Sequence, residues 1–127
     1  IDALLETVPN TKKVVAISSG AAINGNRGWG GYSISKAALN MFIKLYASEN
    51  KNTAFYSFAP GLIDTPMQDY LCGEELNVNE FPSAQKLKDA RYTSNMPTAE
   101  NAGKILAKGI NELDKLETGS FADIRKM

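Results

Sequence analysis

Apolar residues at the start of the chain first follow a helical spacing and then form an unbroken run typical of a strand. The spacing over residues 1–8 predicts a helix that ends near Val8, with no cap residue before it. The run KVVAISS over Lys13–Ser19 predicts a short strand that is buried on both faces. Glycines are frequent over Gly20–Gly31, which we therefore expect to be a loop.

The longest helix that the pattern predicts runs from Tyr32 to about Ser48 and closes at a polar turn over residues 50–52. Its apolar residues lie on one stripe, which consists of Ile34, Ala38, Met41, Phe42 and Leu45. The run TAFYSF over Thr53–Phe58 predicts a second strand. This strand must stop at Pro60, because proline donates no hydrogen bond to a strand ladder.

Two threonines mark predicted helix starts in the second half of the chain. We expect Thr65 to cap a short helix over Pro66–Leu71 with its hydroxyl group. Thr98 is expected to cap an amphipathic helix in the same way. The apolar positions of that helix are Ala102, Ile105, Leu106, Ile110 and Leu113. Gly119 then turns the chain into a last predicted strand over Ser120–Ile124.

The stretch between Cys72 and Pro97 is polar and irregular, with a helix expected over Ser83–Arg91. A stretch of this kind fits a lid or substrate loop, and it fits an ordinary surface excursion equally well. The sequence leaves both interpretations open.

Strands that alternate with helices predict an α/β fold built on a doubly wound parallel sheet with helices on both faces. Three predicted strands make a thin sheet, because buried parallel strands usually belong to a larger one. The uncapped start points the same way, so we expect the chain to be a piece of a larger sheet.

Composition excludes several classes of function. The 127 residues, 43% of them hydrophobic, can bury one core, so one domain is expected. Fourteen basic and fourteen acidic side chains cancel, and no apolar run reaches the ~20 residues of a membrane span, so we expect neither nucleic acid nor membrane as a partner. One cysteine, Cys72, fits a reducing compartment such as the cytoplasm. The absence of histidine removes Ser-His-Asp catalysis and every His-based metal site, and we expect no metal.

The glycines of the loop have the outline of a dinucleotide-binding turn, but the details disagree. About a dozen residues separate the predicted strand from the helix, the glycine order is reversed, and the next strand lacks an acidic residue for a ribose. Loop flexibility explains these glycines better than phosphate binding. The Ser33-x-x-Lys36 spacing of penicillin-recognising enzymes also occurs, without its companion motifs.

Tyr32 and Lys36 are four residues apart on one predicted helix, so their side chains rise on the same face. An ammonium beside a phenol favours the phenolate, which suits the pair to proton transfer. A half-buried tyrosine beside a solvated lysine is the plainer interpretation. Ser19 strengthens the chemical one, because it stands thirteen residues before Tyr32, at the end of a predicted parallel strand where such sheets place their sites.

These three residues, with Ala59-Pro60-Gly61 closing the next strand, resemble the short-chain dehydrogenase/reductase family. The resemblance implies the C-terminal half of a single Rossmann-like domain over residues 1–127. It implies that Ser19 bonds the substrate carbonyl, that Tyr32 donates the proton, and that Lys36 favours the phenolate and holds the nicotinamide ribose.

By the same resemblance, the family pattern Pro-Gly-x-x-x-Thr lines the nicotinamide of a bound cofactor. It is matched here by Pro60, Gly61 and Thr65, with Ile63 between them. The plainer roles are a turn for Pro60 and Gly61, a helix cap for Thr65 and a core position for Ile63.

Finer features resemble the sepiapterin reductase and bacterial benzil reductase group. They are Gly28-Trp29 before Tyr32, the run APGLIDTPMQ from Ala59, and a closing Gly119-x-x-x-Asp123. The resemblance implies reduction of a diketone or pterin side-chain carbonyl with NADP(H), and less readily with NAD(H). It implies Trp29, Leu62 and Asp123 at the substrate, with Asp123 as a simple strand-end acceptor equally open.

The family's Thr-Gly-x-x-x-Gly-x-Gly turn, its Asn-Asn-Ala-Gly segment and its catalytic asparagine have no match in these residues. We therefore expect this chain alone to bind NADPH poorly and to turn over little. A truncated, inactive binding or regulatory remnant is the alternative function. The resemblance also implies a homodimer, in which Met41, Phe42 and Leu45 serve the subunit interface as well as the core.

Overall fold

The structure is a computed structural model that describes all 127 residues. Its helices pack on a small parallel sheet. The elements are α1 (Asp2–Thr7), β1 (Lys13–Ile17), α2 (Gly30–Glu49), β2 (Ala54–Ala59), α3 (Pro66–Leu71), α4 (Pro82–Ala90), α5 (Ala99–Glu112) and β3 (Phe121–Asp123). Short 3-10 turns cover Gly20–Ala22, Leu113–Lys115 and Ile124–Lys126.

The sheet has the order β1-β2-β3, and both strand pairs are parallel. Val15 lies opposite Tyr56 in the first pair, and Phe58 lies opposite Ala122 in the second. The central strand β2 is the most deeply buried of the three, since it has a neighbour on each side. All three strands run the same way, so their carboxyl ends meet at one edge of the sheet.

Helices cover both faces of the sheet, as the strand-helix alternation predicts. On one face, Tyr56 and Phe58 of β2 pack with Leu113 and Ala122, against which α5 contributes Leu106. On the other face, Phe55 packs with Ile43 and Ala47 of α2. The alternation of side chains along β2 therefore divides the core into two layers, and the predicted α/β fold is confirmed.

A third apolar cluster is separate from the two that cover the sheet, and its centre is formed by the irregular stretch between Cys72 and Pro97. Leu87, Ala90 and Met96 form its buried centre. The residues packed against this centre are Trp29, Leu62, Leu71 and Cys72. The predicted helix in this stretch is confirmed, since α4 begins one residue before Ser83 and ends at Ala90.

The prediction that the first strand is buried on both faces is wrong. β1 ends at Ile17 rather than Ser19, and the Ile17 residue is 50% exposed. β1 pairs only with β2 and is an edge strand of this sheet, so one flank of it has no strand beside it.

The predicted apolar stripe of α2 is also wrong. Ile34 is 72% exposed, and Met41, Phe42 and Leu45 are exposed as well. The positions that face the sheet are instead Leu39, Ile43, Tyr46 and Ala47. The helix is apolar on more than one side, so its sequence offers two stripes and the sheet selects one of them.

The ends of several elements differ from the predictions. Thr98 caps α5 through its side chain, as predicted, with its Oγ1 accepting from Asn101 N at 3.4 Å. Thr65 occupies the cap position of α3, but its side chain makes no capping hydrogen bond. α2 begins at Gly30, two residues before Tyr32, and the last strand covers only Phe121–Asp123.

No helix is both long and apolar enough to cross a lipid bilayer.

Candidate active site

Tyr32 and Lys36 lie in the first two turns of α2, beside the carboxyl end of β1. The Lys36 Nζ donates to the carbonyl oxygen of Ile17 at 2.9 Å, and it lies 5.9 Å from the centre of the Tyr32 ring. The helical spacing therefore brings the two side chains together, and the bond to Ile17 holds the ammonium at the strand end. Tyr32 remains partly exposed to solvent.

Two consecutive serines follow β1, and the structure gives them different surroundings. Ser18 is 2% exposed, and its Oγ bonds with Asn40 Oδ1 on α2 at 2.6 Å. Ser19 is only partly buried, and its Oγ accepts a hydrogen bond from Ala21 N at 3.1 Å, which caps the turn at Gly20–Ala22. The Ser19 hydroxyl acts there as an acceptor, so its own hydrogen is free to reach a ligand. Ser18 fastens β1 to α2 instead.

The stretch from Pro60 to Thr65 leaves the carboxyl end of β2 at the same edge of the sheet. Gly61 has φ +77, in the left-handed region that favours glycine, and a Cβ there would lie 3.4 Å from Ile124 Cγ2. Ile63 and Thr65 are both partly buried. The backbone of Asp64 bonds with Pro97 O at 2.9 Å, which ties this stretch to the start of α5.

Arg91 holds the same stretch from the end of α4. Its Nε lies 3.1 Å from Asp64 Oδ1, its NH1 donates to Gln68 O at 3.1 Å, and its NH2 pairs with Asp69. The hydrogen bond with Asp69 is the main cause of the raised pKa of Arg91. The sequence gives no local signal for this contact, since the whole of α3 and α4 lies between Asp64 and Arg91 in the chain.

Asp123 ends β3, and its carboxylate is bound by Arg125. Its Oδ1 accepts from Arg125 N at 3.0 Å and from Nε at 2.9 Å, and its Oδ2 accepts from NH2 at 2.5 Å. The side-chain bond lowers the pKa of Asp123 below its ordinary value, although burial acts in the opposite direction. Arg125 lies between Gly20 and Gly61, so it connects the ends of all three strands. The sequence reasoning missed Arg125.

Trp29 immediately precedes α2 and connects Tyr32 to α4. Its ring centre lies 5.8 Å from that of Tyr32, at an interplanar angle of 59°. The indole Nε1 donates to Ser83 Oγ at 2.7 Å. Trp29 and Leu62 both pack against the cluster of Leu87, Ala90 and Met96, so the structure brings these two predicted substrate residues together. Asp123 lies apart from them, in its pair with Arg125.

The candidate residues thus lie at one edge of the sheet, and their functional groups offer two kinds of chemistry. A phenol, an ammonium and a hydroxyl group stand near the end of β1, which suits proton transfer to a substrate oxygen. The same Lys36 ammonium keeps two N–H groups beyond its bond to Ile17. The Thr65 hydroxyl makes no capping hydrogen bond. These donors, with the left-handed Gly61, fit the nicotinamide and ribose half of a dinucleotide.

The comparisons with known proteins show the family of the chain. The family model described as short chain dehydrogenase matches residues 4–75, more than half of the chain, and the chain belongs to that family. Sepiapterin reductase from Bos taurus is 32% identical over 124 residues, which are 94% of this chain and 45% of that protein. Benzil reductase ((S)-benzoin forming) from Bacillus cereus is 44% identical over 114 residues, which are 87% of this chain and 43% of that protein.

A solved structure gives the same result for the fold. The crystal structure of the KRED1-Pglu enzyme superposes with a TM-score of 0.73 at 27% identity, and the match covers 95% of this chain and 52% of that one. The chain therefore has a partial Rossmann-like α/β fold. It spans about half the length of the curated relatives it matches. The predicted family and its sepiapterin reductase and benzil reductase group are confirmed.

Proposed function

We propose that the chain is the C-terminal half of a single reductase domain that transfers a hydride from NAD(P)H to a small-molecule carbonyl. One observation carries this proposal: the contact of Lys36 with both the Tyr32 ring and the Ile17 carbonyl, beside Ser19. This contact supports the roles of proton donor for Tyr32, charge for Lys36 and hydrogen-bond donor for Ser19 at the carboxyl edge of the sheet, where ligands of such folds bind.

Each of the three residues has a separate role in the proposed step. A bound nicotinamide cofactor would supply the hydride. Ser19 donates a hydrogen bond to the carbonyl oxygen and polarises it. The O–H bond of Tyr32 breaks as its proton passes to that oxygen, and the ammonium of Lys36 stabilises the phenolate left behind. The residues that would hold the cofactor are Tyr32, Lys36, Pro60, Gly61, Ile63 and Thr65. We favour NADP(H) over NAD(H) from the group resemblance.

The substrate and the assembly are proposed from the relatives. Sepiapterin reductase and benzil reductase are named for a pterin and a diketone, which supports a carbonyl of one of these types for this chain. Of the residues proposed to bind the substrate, Trp29 and Leu62 would stand together and Asp123 apart from them. We propose a cytoplasmic homodimer that pairs through the exposed apolar face of α2.

A chimera tests the proposed reaction, because the chain spans only part of its relatives. The residues that precede the matched segment in Bacillus cereus benzil reductase are joined in front of Ile1. We expect this protein to oxidise NADPH when benzil is added, as followed by nicotinamide absorbance. Ser19→Ala should lower kcat/KM by about 100-fold, the cost of one donor to a developing oxyanion.

The matched control for that test is Ser35→Ala, which removes an exposed hydroxyl that bonds only with the Tyr32 carbonyl oxygen. This variant should keep the activity of the parent chimera. No benzil-dependent oxidation, or equal activity of the Ser19→Ala and Ser35→Ala variants, would favour the inactive remnant over the reductase.

A further inference from the structure

Two short stretches that are distant in sequence meet in a row of contacts beside Tyr32. The guanidinium of Arg27 lies 5.8 Å from the centre of the Phe81 ring. Gly28 has φ +90, and a Cβ there would lie 2.6 Å from Phe81 Cδ1, so only glycine allows the ring to come this close. Trp29 bonds with Ser83. We call these contacts the 27–29/81–83 junction.

The junction borders a cavity of about 250 Å³ that is partly open to solvent. Seven of its ten lining residues are hydrophobic, and they include Trp29, Leu76 and Leu87. An apolar cavity of ~150 Å³ binds benzene in a well-studied protein, so this one has room for a single aromatic ring. It is smaller than the ~300–1,000 Å³ of sites that hold a whole drug-sized ligand. The cavity therefore fits one part of a substrate.

The indole of Trp29 is a wall shared by the cavity and the proposed proton donor. The indole lines the cavity, and the centre of its ring lies 5.8 Å from the centre of the Tyr32 ring. A substrate whose carbonyl reaches Tyr32 would thus meet the cavity with an adjoining substituent. The hydrogen bond from Trp29 to Ser83 keeps this wall fixed to α4.

The one carboxylate among the proposed substrate residues is already engaged. Asp123 is buried, and both of its carboxylate oxygens accept hydrogen bonds from Arg125. A pterin ring placed in the apolar cavity would leave several of its own polar groups without partners, which costs binding free energy. An unsubstituted aromatic ring carries no such cost.

We propose that this cavity takes an uncharged aromatic substituent next to the reacting carbonyl, and that Ser83 positions Trp29 as its wall. The chain then favours aryl diketones over pterins. This inference rests on the proposed function for the position of the carbonyl, but it is a statement about binding that can be tested without turnover.

The test uses the 127-residue chain and its single tryptophan, Trp29. Benzil and sepiapterin are each titrated by calorimetry, while the Trp29 emission spectrum reports the environment of the indole. We expect benzil to bind about tenfold more tightly than sepiapterin and to shift the emission spectrum. Sepiapterin binding as tight as benzil binding, or no measurable benzil binding, overturns the inference.

Variants separate the cavity from the rest of the protein. Ser83→Ala removes the acceptor for the indole and should weaken benzil binding about fivefold, with a shifted emission spectrum before any ligand is added. Ser83→Thr keeps a hydroxyl group and should restore both. Gln85→Ala, on the exposed side of α4, is the control and should match the parent.

A second variant addresses the cavity directly. Leu76→Phe fills it from its partly exposed side and should weaken benzil binding about tenfold. Its circular dichroism spectrum shows whether the fold is kept. If it and Ser83→Ala both leave the benzil affinity unchanged, the cavity is not the binding site, whether or not the chimera reduces benzil. If instead the chimera is inactive while these variants weaken binding as expected, only the proposed reaction fails.

Discussion

Lys36 has two partners that together define the chemistry of its neighbourhood. Its bond to the Ile17 carbonyl draws the ammonium to the end of β1, and the contact with the Tyr32 ring places the charge beside the phenol. A flexible lysine in water would spend side-chain entropy to hold one such position. Here α2 fixes the backbone of Lys36 and the end of β1 binds its ammonium, so the ammonium is available to Tyr32 without further reorganisation.

The pair of Asp123 and Arg125 predicts a dependence of stability on pH. Because Arg125 lowers the pKa of Asp123 below its ordinary value of 3.8, the unfolded chain binds this proton more readily than the folded chain. The stabilisation is therefore complete above that value and is lost as the pH falls through the folded-state pKa. Arg125→Met should lower the melting temperature at neutral pH, and the difference from the parent should shrink in acid.

The control for this prediction is Lys104→Met, which breaks an exposed pair with Glu100. Exposed pairs of this type contribute little, so its melting temperature should follow the parent at every pH. A deficit of Arg125→Met that is constant from neutral pH to acid would show that the pair does not titrate as described.

At the scale of elements, α2 shows what its sequence could and could not predict. The spacing of apolar residues predicts the helix and nearly its ends. It does not predict which side is buried, because residues such as Ile34 and Ile43 are equally apolar and only the sheet distinguishes them. Trp29 with Ser83 and Arg91 with Asp64 were missed for a related reason, since contacts between distant stretches leave no local pattern.

Two isoleucines on α2 test the corrected orientation of the helix. Ile43 is fully buried against Phe55, whereas Ile34 is exposed. Ile43→Ala should cost about 2–5 kcal/mol of the free energy of unfolding, from lost burial and a residual cavity. Ile34→Ala should change it by less than ~0.5 kcal/mol. Chemical denaturation measures both, and similar costs would mean that the described face is not the buried one.

At the scale of the whole molecule, the fold class was predictable from the sequence because strands and helices alternate along it. The site was predictable as far as its residues follow one another on β1 and α2. The sequence of the stretch that contains α4 shows no such succession of site residues. The position of α4 beside Trp29 depends on packing between residues that are distant in the chain. The exposed apolar face of α2 is the other feature that only the assembled structure shows.

That face leads to a prediction about assembly. If α2 pairs two subunits, a charge at Phe42 must be buried at the interface without a partner, which is strongly unfavourable. Phe42→Glu should therefore convert a dimer to a monomer in analytical ultracentrifugation. Ile105→Glu places the same charge on the exposed side of α5 and should leave the dimer intact. A parent chain that sediments as a monomer at all concentrations would contradict the proposed dimer.

The central claim is that Tyr32 delivers the proton to the substrate oxygen, and one measurement tests it most directly. Tyr32→Phe removes only the hydroxyl group, and in the benzil reductase chimera it should lower kcat/KM by at least about 100-fold. Tyr92→Phe, at an exposed tyrosine two residues beyond the end of α4, should leave it unchanged. The account is contradicted if the Tyr32→Phe chimera reduces benzil as fast as the Tyr92→Phe chimera.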